Sequence, residues 1–184
     1  MNKHINKLPA KSSRNIAAAF CREFVYMLVH PFPPVYDAKS EILILGSFPS
    51  VKSRENMFYY GHPQNRFWRV LAAVYKSDVP QSIDEKVRFL LEHHIALWDV
   101  LASCEITGSA DSSIKNAVPN DLSAILSSAN IRRIYTNGKT SKNYYKRFSE
   151  EITGRGSVCL PSTSPANAAW SLDRLIDAWK VIAE

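Results

Sequence analysis

The chain has 184 residues, three cysteines and a formal charge of +6. That length suits one domain, and no apolar run reaches the roughly 20 residues a bilayer-spanning helix needs, which predicts a soluble protein with no membrane partner. Cys21, Cys104 and Cys159 are odd in number and never at Cys-x-x-Cys spacing. This pattern speaks against a disulfide framework or zinc site, excludes a four-cysteine iron–sulfur cluster within one chain, and points to a reducing, cytoplasmic setting.

The positive charge invites a nucleic-acid partner, but it is unevenly spread. Residues 1–29 hold Lys3, Lys7, Lys11, Arg14 and Arg22 against Glu23 alone, which is +4 of the total, so residues 30–184 carry only +2. The first 29 residues therefore read as a basic arm outside the main domain, with an amphipathic helix over Ile16–Val29 or a DNA-touching tail as alternatives. His30–Tyr36 contains three prolines and is predicted to be extended. Ile42–Leu45 is a continuous apolar run closed by Gly46-Ser47, the pattern of a strand covered on both faces. Phe67–Tyr75 and Asp84–His93 have helical spacing, and Ile95–Trp98 is a second apolar strand. Ser103–Val118 reads as a long loop, a length that is often functional. Pro119–Ser127 reads as a helix with proline at its entry. Arg133–Thr136 and Ser157–Leu160 supply two more strands, with helices at Thr140–Glu150 and Asn167–Ile182.

Strands alternating with helices predict a three-layer α/β/α sandwich around a central, mainly parallel four-stranded sheet. Ligands in such sheets bind beyond the carboxyl ends of the strands. The polar segments fall there: Gly46–Ser50 after the first strand, Asp99 after the second, Asn137-Gly138 after the third, and Pro161–Pro165 after the last. None has a Walker or G-x-G-x-x-G phosphate fingerprint. No His, Cys or carboxylate group has metal-ligand spacing, so neither metal nor cofactor is expected. Taken singly, Asn65 reads as a helix N-cap, Asn137 as a turn asparagine before glycine, and Tyr60 and Trp68 as core aromatics.

In combination, Gly46-Ser47-Phe48-Pro49-Ser50 with Tyr60-Gly61-His62-Pro63-x-Asn65-Arg66-Phe67-Trp68 resembles the first motif region of the uracil-DNA glycosylase superfamily. Leu160-Pro161-Ser162-Thr163-Ser164-Pro165-Ala166-Asn167 resembles its second motif, a loop that enters the DNA minor groove. Leu97-Trp98-Asp99-Val100 and Gly108-Ser109-x-Asp111 are most similar to the hypoxanthine-DNA glycosylase branch. The likeness spans residue 30 to the C-terminus, which would be the catalytic domain. It departs from the uracil and mismatch branches at Ser47-Phe48, where those carry aspartate or asparagine.

The resemblance implies a monofunctional glycosylase of base excision repair. Such an enzyme flips a deaminated base out of duplex DNA and hydrolyses its N-glycosidic bond, releasing hypoxanthine, with uracil as a second candidate base, in a monomer of bacterial or archaeal cytoplasm. It casts Asn65 as the catalytic residue, orienting water through its amide oxygen. Ser47 and Phe48 would bind the base through backbone N–H groups, Tyr60 by stacking and Asn137 by its amide. Ser50, His62, Ser162, Ser164, Pro165 and Asn167 would touch DNA, while Asp99 and Asp111 are candidate supporting acids. No lysine stands in a motif position, which disfavours a Schiff-base lyase. Two alternatives fit the same residues: a non-catalytic lesion-binding module, and a hydrolase of free nucleosides.

Overall fold

The computed structural model describes residues 27–184. In chain order, the strands and helices are β1 (Leu28–Val29), β2 (Ile42–Gly46), α1 (Val51–Glu55), α2 (Phe67–Val74), α3 (Ile83–Glu92), β3 (Ile95–Asp99), β4 (Leu101–Glu105), β5 (Lys115–Pro119), α4 (Ser123–Ser128), β6 (Arg133–Asn137), α5 (Lys139–Phe148), α6 (Glu150–Thr153), β7 (Val158–Leu160) and α7 (Leu172–Trp179).

Four strands form one parallel sheet in the order β3-β2-β6-β7. One of its two inner strands, β2, is apolar on both faces for a reason visible in its neighbours. Ile44 packs into a cluster with Phe67, Leu71, Leu90, Leu175 and Trp179 from α2, α3 and α7. Leu43 and Leu45 point the other way, into a cluster with Leu101, Ile125 and Tyr145 from β4, α4 and α5. Alternation along a strand thus feeds two cores, and three layers result. Local chemistry fixes the helix starts. Ser82 and Glu85 close a reciprocal capping box on α3, and the Ser171 hydroxyl accepts from Arg174 N to start α7.

Several elements differ from the sequence reading. Ser103–Val118 is not one loop: β4 and β5 pair antiparallel, and β1 adds to β4 to make a second, three-stranded sheet. The pairing is long-range and bulged, so no clean alternation marks it. Pro119 ends β5 rather than opening a helix, and Asp121, accepting from Ser123 N, sits at the true start of α4. The last helix is shorter than Asn167–Ile182, with turns before Ser171 and a single 3-10 turn at Lys180–Ala183. Residues 16–26 of the amphipathic-helix reading lie outside the described residues, while Leu28–Val29 form a strand because β4 supplies its partner. The extended lead-in is held by a two-way bridge between Val35 and Leu97, and His30 N donates to Ala102 O. No helix among the described residues is long and apolar enough to cross a membrane.

Candidate active site

A cleft of about 1290 Å³ opens at the carboxyl ends of the four parallel strands. Each strand delivers a segment to it: β2 gives Gly46–Ser50, β3 gives Asp99, β6 gives Asn137, and β7 leads into Pro161–Asn167. The turn before α2 adds Tyr60, His62 and Asn65, and the loop between β4 and β5 adds Asp111. Every candidate residue read from the sequence lies on this wall.

One side of the cleft is built from amides. Asn65 and Asn137 come from distant parts of the chain and are tied together by Thr163, which has no solvent exposure. Thr163 N donates to Asn137 Oδ1 (3.0 Å), and Asn137 Nδ2 donates back to Thr163 Oγ1 (2.9 Å). That hydroxyl then donates to Asn65 Oδ1 (2.9 Å), which also accepts from Phe67 N at the start of α2 (3.0 Å). A backbone N–H can only donate, so these contacts fix which amide atom is oxygen and which is nitrogen. Both acceptor sites of the Asn65 oxygen are filled. Its Nδ2 group is the end left for a ligand. This differs from the expected role, in which the Asn65 oxygen held water. Asn137 likewise spends its oxygen on Thr163 N and has one amide hydrogen to offer.

Arg66 makes this arrangement rigid. Its backbone N and Nε donate to Thr163 O, and its terminal nitrogens reach the carbonyls of Ser164, Asn167 and Trp170. A cation at the first turn of a helix opposes the helix dipole, and these carbonyls are the compensation. Within the loop, Ser162 Oγ accepts from Ser164 N, Ser164 Oγ from Ala166 N, and Asn167 Nδ2 donates to Ser162 O. The tip, Pro165-Ala166, is exposed. The other two candidate contacts also have local work: Ser50 caps α1, and His62 Nδ1 accepts from Gln64 N while His62 O accepts from Asn65 N.

The opposite side carries carboxylates. Asp99 Oδ2 lies 2.9 Å from Nε2 of His30, whose side chain is 4% exposed. Asp99 Oδ1 crowds Gly46 so closely that a Cβ there would lie 2.1 Å from it. Both oxygens of Asp111 lie 3.0 Å from Ser47 Oγ. Burial pushes the Asp111 carboxyl above its ordinary value and the charge of Asp99 adds to this, while the Ser47 hydrogen bond pulls the other way. Between the two sides stands Tyr60, with positive φ and its ring stacked on Phe67 (3.8 Å). Its hydroxyl is buried without a partner among the described residues, and burial followed by the Asp99 charge raises its pKa. Phe48 is 7% exposed and packs in the core beneath the cleft, leaving its backbone at the wall.

Sequence reading gave Thr163, Arg66 and His30 no role. The cation at a helix start was a usable signal for Arg66. Nothing local marks Thr163 or His30, because their partners lie 26 to 98 residues away. Lys139, exposed at the start of α5, also lines the cleft.

A parallel sheet with polar strand exits and two amides braced over one cleft defines a class. Residues 33–183 match the family model described as the uracil DNA glycosylase superfamily, and the chain belongs to that superfamily. Among its relatives, it is 41% identical over 139 residues to a hypoxanthine DNA glycosylase of Methanosarcina barkeri, covering 74% of this chain and 86% of the relative. It is 36% identical over 150 residues to a hypoxanthine DNA glycosylase of Methanosarcina acetivorans, covering 80% and 94%. A solution NMR structure of a Methanosarcina acetivorans protein described as a candidate uracil DNA glycosylase matches with a TM-score of 0.70 at 31% identity, over 85% of this chain and all of that one.

Proposed function

We propose that the protein is a monofunctional DNA glycosylase that releases hypoxanthine from deoxyinosine in DNA and leaves an abasic site. The observation that carries this reading is the Asn65–Thr163–Asn137 chain, which braces two side-chain amides from distant parts of the sequence on one cleft. Both named relatives are hypoxanthine DNA glycosylases, and this supports the choice of base.

Breaking the glycosidic bond builds positive charge on the sugar and negative charge on the departing base. The target nucleotide must first leave the stack. Amide hydrogens aimed at the base then stabilise the charge it gains. Asn65 is the principal donor and Asn137 the second, both facing the carbonyl and ring-nitrogen acceptors of hypoxanthine. Tyr60 forms the wall against which the base rests, and the backbone of Ser47 and Phe48 closes its edge. The exposed Pro165-Ala166 tip, with Asn167 behind it, fills the gap left in the duplex. Ser162 and Ser164, with Ser50 and His62 across the cleft, lie along the path of the flanking phosphates. All of the candidate groups come from one chain, in keeping with action as a monomer on DNA.

The test is release of base from labelled duplexes containing deoxyinosine or deoxyuridine, read by alkaline cleavage of the abasic product. Cleavage on the deoxyinosine strand is expected, and the deoxyuridine arm sets the substrate range. Binding without cleavage on either lesion would replace this reading with a lesion-binding module. Borohydride should trap no covalent complex; a trapped adduct would assign Lys139 a lyase role instead.

A further inference from the structure

We propose that Asp99 holds and accepts a proton from the attacking water, and that His30, from outside every motif, is the positioning residue that aims it. The inference rests on the glycosylase reading above. Hydrolysis needs an acceptor beside the sugar, and the amide side is largely committed elsewhere: the Asn65 oxygen is filled by Phe67 N and the Thr163 hydroxyl, and the Asn137 oxygen is held against Thr163 N. The anionic groups in the cleft, basic enough to take a proton from water, are the carboxylates. Asp111 hangs on the loop between β4 and β5, with both oxygens shared with Ser47.

Asp99 is placed differently. It ends β3 in register with Gly46, its backbone carbonyl is held by Asn120 Nδ2 (2.9 Å), and Oδ1 occupies the space where any other residue at position 46 would put a Cβ. The His30 ring has a single polar contact among the described residues. It is surrounded by Phe32, Phe48, Tyr59 and Trp98 at centroid distances of 4.6 to 6.5 Å, and its Nδ1 is buried with no partner among the described residues. A carboxylate can only accept, so Nε2–H donates to Asp99 Oδ2 and leaves Oδ1 as the accepting oxygen. A buried polar atom without a partner is uncommon and marks a place where another demand prevails. Here the demand is one oriented carboxylate.

In the step itself, the C1′–N9 bond breaks with its electron pair going to the base. Water oxygen bonds C1′, and its proton passes to Asp99 Oδ1 and then to the released base. Atoms and charge balance without a further reactant. The carboxylate also faces the positive charge of the sugar, in a site that water screens poorly.

The experiment is single-turnover base release from deoxyinosine duplex, run beside DNA binding and thermal melting. Asp99→Asn is nearly isosteric and should slow release by about 100-fold or more while binding changes little. His30→Phe should lose most of that rate, and His30→Gln, which keeps an N–H near the Nε2 position, should recover much of it. The double variant Asp99→Asn/His30→Phe should be no slower than Asp99→Asn alone. Release by Asp99→Asn near the wild-type rate overturns the proposal, as does equal loss in the Gln and Phe variants. Wild-type protein that binds the duplex and releases no base removes the glycosylase reading, and this proposal falls with it.

Discussion

The two sides of the cleft are built by opposite means. The amide side is donor-rich, and its asparagine oxygens are fixed by neighbours: Thr163 braces Asn65 and Asn137, and Arg66 braces the carbonyls behind Thr163. The carboxylate side is anionic and acceptor-rich, and its two acids are held by single contacts, His30 to Asp99 and Ser47 to Asp111. The contrast matches the charge that develops as a glycosidic bond breaks. Donors meet the base that becomes negative, and acceptors meet the sugar and water that become positive.

The sharpest way to break this division is at Gly46. A Cβ there would collide with Asp99 Oδ1, so Gly46→Ala must swing the carboxylate aside. Misplacing one catalytic group by about an ångström costs roughly 100-fold. Single-turnover release from Gly46→Ala should fall by that order with DNA affinity held; an unchanged rate would separate Asp99 from the chemistry.

On the amide side, Thr163→Val keeps the shape and deletes the hydroxyl. Asn137 Nδ2 loses its acceptor and Asn65 Oδ1 one of its two donors, a loss of about 1–3 kcal/mol in stability. Melting should show it, with release slowed by about tenfold because Phe67 N still anchors Asn65. A variant that melts and reacts like the wild type would mean that the two asparagines act independently.

The smallest effect is expected at Asp111. Its folded-state pKa lies above its ordinary value, so its ionised form is the less tolerated one. The stability it contributes is full below the unfolded value near 3.8 and is lost as pH rises through the folded value. Asp111→Asn should therefore melt slightly above wild type at pH 7, with the difference shrinking as pH falls toward 4. A difference that grows on acidification would reverse the sign and the account of its burial.

Much of this was legible in the sequence, and the boundary is physical. The parallel sheet could be read because Ile42–Leu45 and Ile95–Trp98 are apolar on both faces, which few other structures permit. The cleft could be read because polar residues stand at the strand exits. The second sheet could not, since β1 is two residues long and β4 pairs with β5 through register shifts. Asn65 was visible as a motif residue. Which end of its amide faces the cleft was not, because that depends on Thr163, 98 residues further on. His30 was hidden in a proline-rich lead-in, and its meaning appears only when β3 brings Asp99 beside it.

The division of labour is tested most directly at Asn65, by comparing Asn65→Asp with Asn65→Ala. Aspartate keeps the oxygen that accepts from Phe67 N and Thr163 Oγ1, but it has no amide hydrogen for the base. If Asn65 works as a donor, both variants should lose about 100- to 1,000-fold in single-turnover release from deoxyinosine DNA. If Asn65→Asp instead matches or exceeds the wild-type rate, the residue acts through its oxygen on water, and the assignment of donors to one side and acceptors to the other is wrong.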